Sequence, residues 1–381
     1  MALNLARKYR PKILDDLVGQ PVITQTLRNA IESDNLRQQY LFVGIYGTGK
    51  TSMARMLAAM ENCEASPGTN PCGTCNNCRK IFEGTHTDVE EIDAASGAGK
   101  VEQVRKLKNS ALYNSIDGCK TKYFILDEVQ RCSDAALDAL LKLLEEPPKH
   151  VRFVLCTTEV GKIREAVQSR CQRHDFTKIY WTEIAEHLKL IAKQEKIKID
   201  EEAINLCARL SQGSMRNALY NLEKLVDYVG TSVITSNQAE ELFGTASETQ
   251  YYDLIDYVIG IDKNKSNDKP DSSGGFRIIN EMLRNKVEFD VIYQGIADHL
   301  RNMLVRLTTS TPYEFINASE AGKRRLKEQC LKVQKDQTIK AIFKSMHALN
   351  KAKQSVVYNM SSEVVLQTWF VESVIFFREK I

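Results

Sequence analysis

A glycine-rich run near the N-terminus has the spacing of a phosphate-binding loop. Residues 44–51 read GIYGTGKT and match the pattern G-x-x-x-x-G-K-[ST], between a predicted strand and a predicted helix. Glycines let backbone N–H groups turn inward around phosphate oxygens, and a helix N-terminus adds partial positive charge. Lys50 is expected to neutralise the terminal phosphates of a nucleotide, and Thr51 to ligate Mg²⁺. A chance glycine-rich turn is the alternative, and the Lys-Thr pair argues against it.

Two adjacent acids end the next clear apolar strand. The run Phe124-Ile-Leu126 leads into Asp127 and Glu128. A site that hydrolyses a nucleotide needs one acid that orients the metal and a second group that polarises water. Acids at the end of a strand are common in loops, so this interpretation depends on the phosphate loop beside it.

Four of the ten cysteines lie within residues 63–78. They are Cys63, Cys72, Cys75 and Cys78, and two C-x-x-C steps join the last three. Four thiolates complete the tetrahedral shell of Zn²⁺ and leave no position for water, so we predict a structural zinc site. Disulfides and an iron–sulfur cluster are the alternatives. A secreted disulfide scaffold would be shorter and richer in cysteine.

The elements that must position these groups alternate between strand and helix up to about residue 176. Predicted strands lie at 41–43, 88–92, 122–126 and 152–155. Such alternation predicts a parallel sheet with helices on both faces. Ser133 is the predicted N-cap of a helix over 134–146 that Pro147 and Pro148 end.

Beyond residue 178 the strand signal fades and apolar residues recur at helical spacing. We therefore predict three domains: an α/β domain over 1–178 with a zinc module at 63–78, a helical domain over 179–243 and a second helical domain over 244–381. The stretch 262–275, DKNKSNDKPDSSGG, has the composition of a mobile loop.

Composition bounds the class of protein. The 381 residues carry a net charge of +3, with 17 Lys and Arg against 11 Asp and Glu from residue 276 onward. This basic excess fits either solvated helix faces or a surface for an acidic partner. No apolar run is long enough to span a membrane, and the N-terminus has no secretory signal. Collagen-like, disordered and membrane classes are excluded.

Further motifs follow in a fixed order, from an N-terminal segment at 5–11 and 17–20 through the phosphate loop and the cysteine insertion. The later motifs are Glu91-Ile-Asp-Ala-Ala-Ser96, Asp127-Glu-Val129, Ala139-Leu-Leu-Lys-Leu-Leu-Glu-Glu-Pro-Pro148, Cys156-Thr-Thr158, Ser169-Arg-Cys171 and Gly213-Ser-Met-Arg216. In these motifs the chain resembles, over nearly its whole length, the gamma/tau subunits of bacterial DNA polymerase III, the AAA+ ATPases of the sliding-clamp loader. The cysteine insertion is the discriminating feature, because most other AAA+ relatives lack it.

The resemblance implies ATP, Mg²⁺ and Zn²⁺ as cofactors and an AAA+ fold followed by a helical lid and a helical oligomerisation collar. Lys50 and Thr51 would bind the phosphates and Mg²⁺. Asp127 would orient the metal, Glu128 would orient the attacking water, and Thr157 would sense the γ-phosphate.

Two arginines carry implied roles as well. Arg216 would contact phosphate from the lid of the same chain, and Arg170 would reach the ATP of a neighbouring subunit. A helix-face charge and a surface salt bridge are the respective alternatives. The implied nucleotide site comprises Ala6, Arg7, Tyr9, Arg10, Pro11, Val18, Gly19, Gly44, Ile45, Tyr46, Gly47, Thr48, Gly49, Lys50, Thr51, Ser52 and Arg216.

The implied partners are delta- and delta-prime-like subunits, further copies of this chain, the sliding clamp and primed double-stranded DNA, with no membrane and a cytoplasmic location. Lys100 and Arg105, at the start of a predicted helix, suit DNA phosphates without sequence preference; an exposed helix face is the alternative. The chain stops where the short gamma form stops, so the helicase and polymerase contacts of tau are not predicted.

Some positions depart from the family pattern. Gln130 stands where a histidine often follows Asp-Glu-Val, and Ile45 and Tyr46 are unusual within the loop.

The expected function is that of an ATP-driven subunit that opens a ring-shaped clamp and loads it on primed DNA. The alternatives are a non-catalytic scaffold subunit of the same assembly, another AAA+ motor such as a branch-migration helicase, and a zinc-centred nucleic-acid reader. The intact loop and acids argue against a scaffold, and the cysteine insertion argues against a helicase. Only Arg79 and Lys80 adjoin the cysteines, which argues against a reader.

Overall fold

The computed structural model forms two compact units, residues 1–236 and 237–381. It describes residues 4–65, 70–94, 101–115, 119–230, 232–244, 248–261, 272–285, 287–316, 318, 320–358 and 360–378. Within this part of the chain, no helix is long and apolar enough to cross a membrane. The three-domain division at 178 and 243 stays a prediction.

A parallel five-stranded sheet is the centre of the first unit, and its strand order is β2-β3-β4-β1-β5. The strands are β1 Gln39–Gly44, β2 Val89–Asp93, β3 Lys122–Asp127, β4 Val151–Thr157 and β5 Gln172–Phe176. The long apolar runs of β1, β3 and β4 are buried, as expected for strands covered on both faces. The parallel α/β architecture predicted from the sequence is confirmed.

The order of the strands brings three chain segments to one edge. Strand β4 lies between β3 and β1, and Val43 of β1 pairs with Thr157 of β4. Because parallel strands all end on the same side, the ends of β1, β3 and β4 are neighbours. Residues more than 100 positions apart therefore meet where the phosphate loop begins.

Strand β5 is the one that the apolar runs did not predict. It reads Gln-Arg-His-Asp-Phe, and only His174 and Phe176 are buried. It lies at the edge of the sheet, paired with β1 alone. An edge strand needs few apolar residues, so periodicity gives it a weak signal.

Helices cover the sheet and extend the first unit. They are α1 Leu5–Lys8, α2 Pro21–Glu32, α3 Lys50–Glu61, α4 Asn76–Glu83, α5 Val101–Leu112, α6 Asp134–Glu145, α7 Glu165–Gln168, α8 Trp181–Gln194, α9 Glu201–Leu210 and α10 Met215–Val229. Ser133 caps α6 as predicted, because its hydroxyl accepts a hydrogen bond from the N–H of Ala136 at 3.3 Å. Short 3₁₀ turns lie at Leu14–Asp16, Val129–Arg131 and Val160–Lys162.

The second unit is helical in the part that the structure describes. Its helices are α11 Ser236–Phe243, α12 Glu248–Ile259, α13 Ser273–Arg284, α14 Phe289–Thr308, α15 Glu320–Leu331, α16 Lys335–Val357 and α17 Ser362–Arg378, with a 3₁₀ turn at Pro312–Glu314. Trp369 and Phe370 of α17 are completely buried in its core, and the indole N–H of Trp369 donates to the carbonyl of Ser345 at 3.2 Å.

The prediction of a mobile loop over 262–275 is wrong for its last three residues. Residues 262–271 lie outside the described residues, but α13 already begins at Ser273. Gly274 and Gly275 are buried in it, and a Cβ on Gly275 would approach the ring of Phe370 to 2.1 Å. These glycines allow close helix packing, whereas their composition suggested flexibility.

Candidate functional site

The phosphate loop joins β1 directly to α3. Gly44 ends the strand, Lys50 begins the helix, and Gly47 and Gly49 have the positive φ angles, +75° and +103°, that favour glycine. The Lys50 ammonium is buried and donates to the carbonyls of Gly44 at 2.8 Å and Ile45 at 2.9 Å. Burial lowers the pKa of Lys50. The predicted loop is therefore present, and the backbone at its start holds the lysine.

The two predicted acids lie at the end of β3, beside the loop. The hydroxyl of Thr51 donates to the carboxylate of Asp127 at 2.6 Å. Glu128 is 5% exposed and has a φ of +53°, a backbone conformation that costs energy in a residue with a side chain. This conformation lies directly after β3, at the edge of the sheet where the phosphate loop begins.

Gln130 connects the acid to the end of β4. Its amide nitrogen donates to the carboxylate of Glu128 and, at 2.8 Å, to the hydroxyl of Thr158. Its amide oxygen accepts from the hydroxyl of Thr157 at 2.8 Å, and that hydroxyl accepts from the N–H of Glu159 at 3.0 Å. The sequence marked Gln130 only as a departure from the family pattern and did not assign Thr158 a role. In the structure both fix the orientation of Glu128.

A cavity that is open to solvent lies over the phosphate loop. Its lining includes these residues of the predicted nucleotide site: Ala6, Tyr9, Arg10, Pro11, Val18, Tyr46, Gly47, Thr48, Gly49, Lys50, Thr51, Ser52, Asp127, Glu128 and Arg216. Arg7, Gly19, Gly44 and Ile45 were predicted as well but do not line it. Six further residues line the cavity although they were not predicted: Asp16, Leu17, Ile179, His187, Met215 and Leu219. Leu17 and Met215 directly adjoin predicted residues, so their position in the sequence could have indicated these two.

The helices after residue 180 contact the loop and the N-terminal segment. The N–H of Met215, the first residue of α10, donates to the carbonyl of Gly47 at 3.1 Å. The hydroxyl of Tyr9 donates to the carboxylate of Glu195, and burial followed by this bond raises the pKa of Tyr9 to about 12. Lys8 pairs with the same carboxylate at 2.5 Å. The cavity is therefore lined by segments that are distant in sequence, including the N-terminal segment, the phosphate loop and α10.

The four predicted cysteines converge. Their sulfurs all lie within 4.8 Å of one another, and none of the four is in a disulfide. The sulfurs of Cys72 and Cys78 are 4.0 Å apart, near the separation of about 3.8 Å that a zinc–sulfur bond of about 2.3 Å gives in a tetrahedron.

Backbone N–H groups surround these sulfurs. Those of Cys75 and Cys78 donate to the sulfurs of Cys72 and Cys75 at 3.3 and 3.4 Å, and the first bond lowers the pKa of Cys72 to about 6. Burial raises the pKa of Cys78, the cost that a bound cation offsets. The donor set fits one tetrahedral Zn²⁺ and its spacing favours no disulfide.

The remaining predicted residues lie elsewhere. Arg170 follows α7 outside the cavity lining, where it pairs with Glu145 at 2.9 Å and donates to the carbonyl of Ala166. Thr157 is fully buried at the end of β4. Lys100 and the side chain of Arg105 lie outside the described residues, so their predicted DNA contacts stay a prediction.

Two family profiles match the first unit. One, described as DNA polymerase III, delta subunit, covers residues 19–180, and one described as DNA polymerase III clamp loader subunit, ATPase lid domain, covers 183–222. The DNA polymerase III subunit gamma of Buchnera aphidicola subsp. Acyrthosiphon pisum is 33% identical over 312 residues, which are 82% of this chain and 82% of that protein. The chain belongs to the DNA polymerase III gamma/tau family.

A second gamma/tau relative covers more of this chain but is longer. The DNA polymerase III subunit tau of Bacillus subtilis is 32% identical over 97% of this chain, which spans 62% of its length. The chain spans 36% and 39% of the Haemophilus influenzae and Escherichia coli relatives. A solved Thermotoga maritima RuvB Holliday junction branch migration motor is 18% identical over 74% of this chain and 86% of its own, with a TM-score of 0.46, a likeness that carries no further conclusion.

Membership in the gamma/tau family places the observed parts in a known plan. The parallel sheet with the phosphate loop is the AAA+ core, the four cysteines from the end of α3 to the first turn of α4 are its insertion, and the helices from α8 onward include the matched lid segment. The resemblance to the gamma/tau family that the motifs indicated is confirmed.

Proposed function

We propose that this chain is an ATP-driven motor subunit of a sliding-clamp loader. It binds and hydrolyses ATP within a multi-subunit spiral, opens the clamp and releases it closed on primed DNA in the bacterial cytosol. The observation that carries this proposal is the convergence of Lys50, Thr51, Asp127 and Glu128 on one cavity in a gamma/tau chain. A scaffold subunit would have no need to keep all four.

The geometry supports a division of labour among these side chains. Lys50 and the turned-in backbone of the loop bind the β- and γ-phosphates. Thr51 and Asp127, already joined by a hydrogen bond, hold Mg²⁺, which when bound neutralises phosphate charge. Glu128 accepts a proton from, or orients, the attacking water, and its position is fixed by Gln130. Thr157 sits one strand away, where it senses the terminal phosphate.

Two arginines complete the site in the proposal. Arg216 contacts phosphate from the lid of the same chain, which is supported by its place in the cavity lining. Arg170 acts on the nucleotide of the neighbouring subunit, because it is partly exposed and outside its own cavity. A charge supplied only on assembly makes hydrolysis depend on a correctly docked neighbour. The neighbours are delta- and delta-prime-like subunits and further copies of this chain.

The test is ATP-dependent loading of a clamp onto primed circular DNA by the reconstituted loader. Lys50→Ala is expected to lower DNA- and clamp-stimulated ATP turnover by about 10²–10³-fold and to abolish loading, because a charge aimed at the transferred phosphate is lost. Lys162→Ala is the matched control, since Lys162 is exposed and pairs only locally with Glu159. It should behave as wild type.

Two results would overturn the proposal. One is full stimulated turnover by Lys50→Ala with a native circular dichroism spectrum. The other is unwinding of duplex DNA by this chain alone, without a clamp, which would identify a different motor.

A further inference from the structure

The loop residue Tyr46 stands out because it is 52% exposed and belongs to none of the hydrophobic cores of the described residues. Two cations lie over this ring. The guanidinium carbon of Arg216 is 5.2 Å from the ring centroid, and the ammonium of Lys50 is 5.9 Å from it. Both distances are within the reach of a cation–π interaction, and the closer cation belongs to α10, far away in the sequence.

The two cations differ in what else holds them. Lys50 is fixed by two backbone carbonyls at 2.8 and 2.9 Å, whether or not the ring is there. The guanidinium of Arg216 makes no hydrogen bond or ion pair with any residue in the described part of the chain. For its guanidinium the ring of Tyr46 is therefore the contact that the structure provides.

Arg216 also lies in a field of like charge. Burial and then the neighbouring Arg55 lower the pKa of Arg10, and Arg216 lowers it further. The pKa of Lys50, lowered first by burial, is lowered by Arg216 as well. Repulsion from such neighbours would turn an unheld guanidinium toward solvent, away from the loop.

The backbone explains how the ring comes to face α10. The N–H of Met215 donates to the carbonyl of Gly47 at 3.1 Å, which fixes α10 against the loop one residue after Tyr46. A Cβ on Gly47 would come within 2.2 Å of the hydroxyl of Ser214 and 2.9 Å of the Cβ of Arg216. Only a glycine with positive φ allows this approach.

We propose that Tyr46 is a positioning residue that holds Arg216 beside the phosphate loop before a nucleoside triphosphate binds. A neutral ring suits this task better than a carboxylate would. It attracts the guanidinium through its π-face but leaves the positive charge unneutralised, so the full charge stays available to phosphate. A carboxylate would form an ion pair that the incoming phosphate must break.

This inference rests on the proposed ATP-binding function, and its test uses equilibrium binding of a non-hydrolysable ATP analogue with Mg²⁺ to the full chain. Tyr46→Leu removes the ring and keeps an apolar side chain, and it should weaken binding by about two- to fivefold. Tyr46→Phe keeps the ring and should bind within about twofold of wild type. The melting temperature of both should be unchanged, because the ring supports no core.

The decisive measurement is a double-mutant cycle with Arg216→Ala. If Tyr46 acts through Arg216, the double variant Tyr46→Leu with Arg216→Ala should bind as weakly as Arg216→Ala alone. Independent, multiplying losses would mean that the ring contacts the nucleotide itself and would overturn the inference. Equal weakening by Tyr46→Phe and Tyr46→Leu would overturn it too.

The proposed function and the role of Tyr46 can be refuted separately. If wild type does not bind the analogue, both the proposed function and this inference are wrong. If wild type binds, Lys50→Ala does not, and Tyr46→Leu binds as tightly as wild type, the phosphate site stands and only the role of Tyr46 is refuted.

Discussion

One set of buried charged and polar side chains in the first unit differs from one set in the second by what surrounds it. In the first, Lys50 at the start of α3 and Glu128 after β3 line an open cavity, and the sulfurs of four cysteines converge on one point. In the second, Asp256 accepts from Arg325 and from Gln329, and Gln329 in turn bonds His299 at 2.9 Å. The first set is completed by something from outside the chain, and the second set is completed within it.

This difference separates function from architecture. Polar groups that partner one another inside a helical core specify how the helices pack and are lost together when the unit unfolds. Groups that converge on a cavity bring Lys50 and Arg216 near one another, and Glu128 has a positive φ; the rest of the fold offsets these costs, and a bound anion reduces the repulsion. We therefore expect substitutions in the first set to change ligand-dependent behaviour, and those in the second to change stability alone.

The largest effect should follow removal of a cysteine ligand. Cys72 is the exposed member of the four, so Cys72→Ser leaves no core cavity and any loss reports on the metal. We expect the variant to lose its zinc, which should be one ion per chain in wild type by elemental mass spectrometry. It should also lose on the order of 5 kcal/mol of local stability. Cys330→Ala, in the second unit, is the control and should retain the ion.

A chain that contains iron and acid-labile sulfide, or no metal at all, would contradict the zinc assignment. Equal zinc content in Cys72→Ser and wild type would remove Cys72 from the ligand set.

Next in size is the effect of Glu128→Gln. The substitution keeps shape and a hydrogen-bond acceptor for Gln130, but removes the charge that orients the attacking water. We expect ATP turnover in the assembled loader to fall by about 10²–10³-fold while binding of the ATP analogue stays within about threefold. Rapid-quench turnover and equilibrium titration measure the two quantities. A parallel loss of binding would show that Glu128 serves the loop's structure.

The second unit gives a smaller effect of another kind. Asp256 is buried and bonds Arg325 at 2.7 Å, whereas Asp290 pairs with Lys353 at 3.2 Å on the surface. Asp256→Asn should lower the free energy of unfolding of this unit by about 2 kcal/mol, since it removes the charge paired with Arg325 and places an amide NH2 against either Arg325 or Gln329, both donors. The matched Asp290→Asn should cost well under about 1 kcal/mol. Hydrogen exchange of α12 and α15 distinguishes them, and equal protection would contradict the contrast.

The features that the sequence predicted depend on local contacts, and those that it did not predict depend on contacts between distant segments. The phosphate loop, the acids after β3 and the four cysteines were all predictable, because each is a short segment whose spacing fixes its geometry. Gln130 was noted only as an irregularity. Its role depends on Thr157 and Thr158, which β4 brings beside it through the strand order.

Packing, as opposed to composition, decided the other differences. Gly274 and Gly275 suggested a mobile loop, yet they allow α13 to approach Tyr257 and Phe370. Strand β5 gave little signal because an edge strand needs few apolar residues. In each case the residue type is compatible with two structures, and a contact with a distant segment selects one.

The smallest predicted effect is a pH dependence confined to the second unit. His299 is buried in α14, faces Gln329 and Arg325 of α15, and its ring meets that of Tyr252 of α12 edge-on at 4.5 Å. Burial lowers the pKa of His299 to about 4, against an unfolded value of about 6.5. The unfolded chain therefore binds the proton more readily. The contribution of this group is complete above pH 6.5 and is lost as the pH falls from 6.5 toward 4.

Between pH 7.5 and 5.5 this loss should amount to about 1–1.5 kcal/mol of unfolding free energy from His299 alone. Urea titrations of wild type and His299→Gln at several pH values measure it. The difference between the two proteins in how unfolding free energy changes with pH isolates His299 from the other titratable groups. The variant should be less stable at pH 7.5, as it fills the site less well, but its stability should fall less on acidification. If unfolding free energy changed with pH in the same way in both proteins, His299 would be solvated or already charged in the folded unit. That result would contradict the description of its network as completed within the unit.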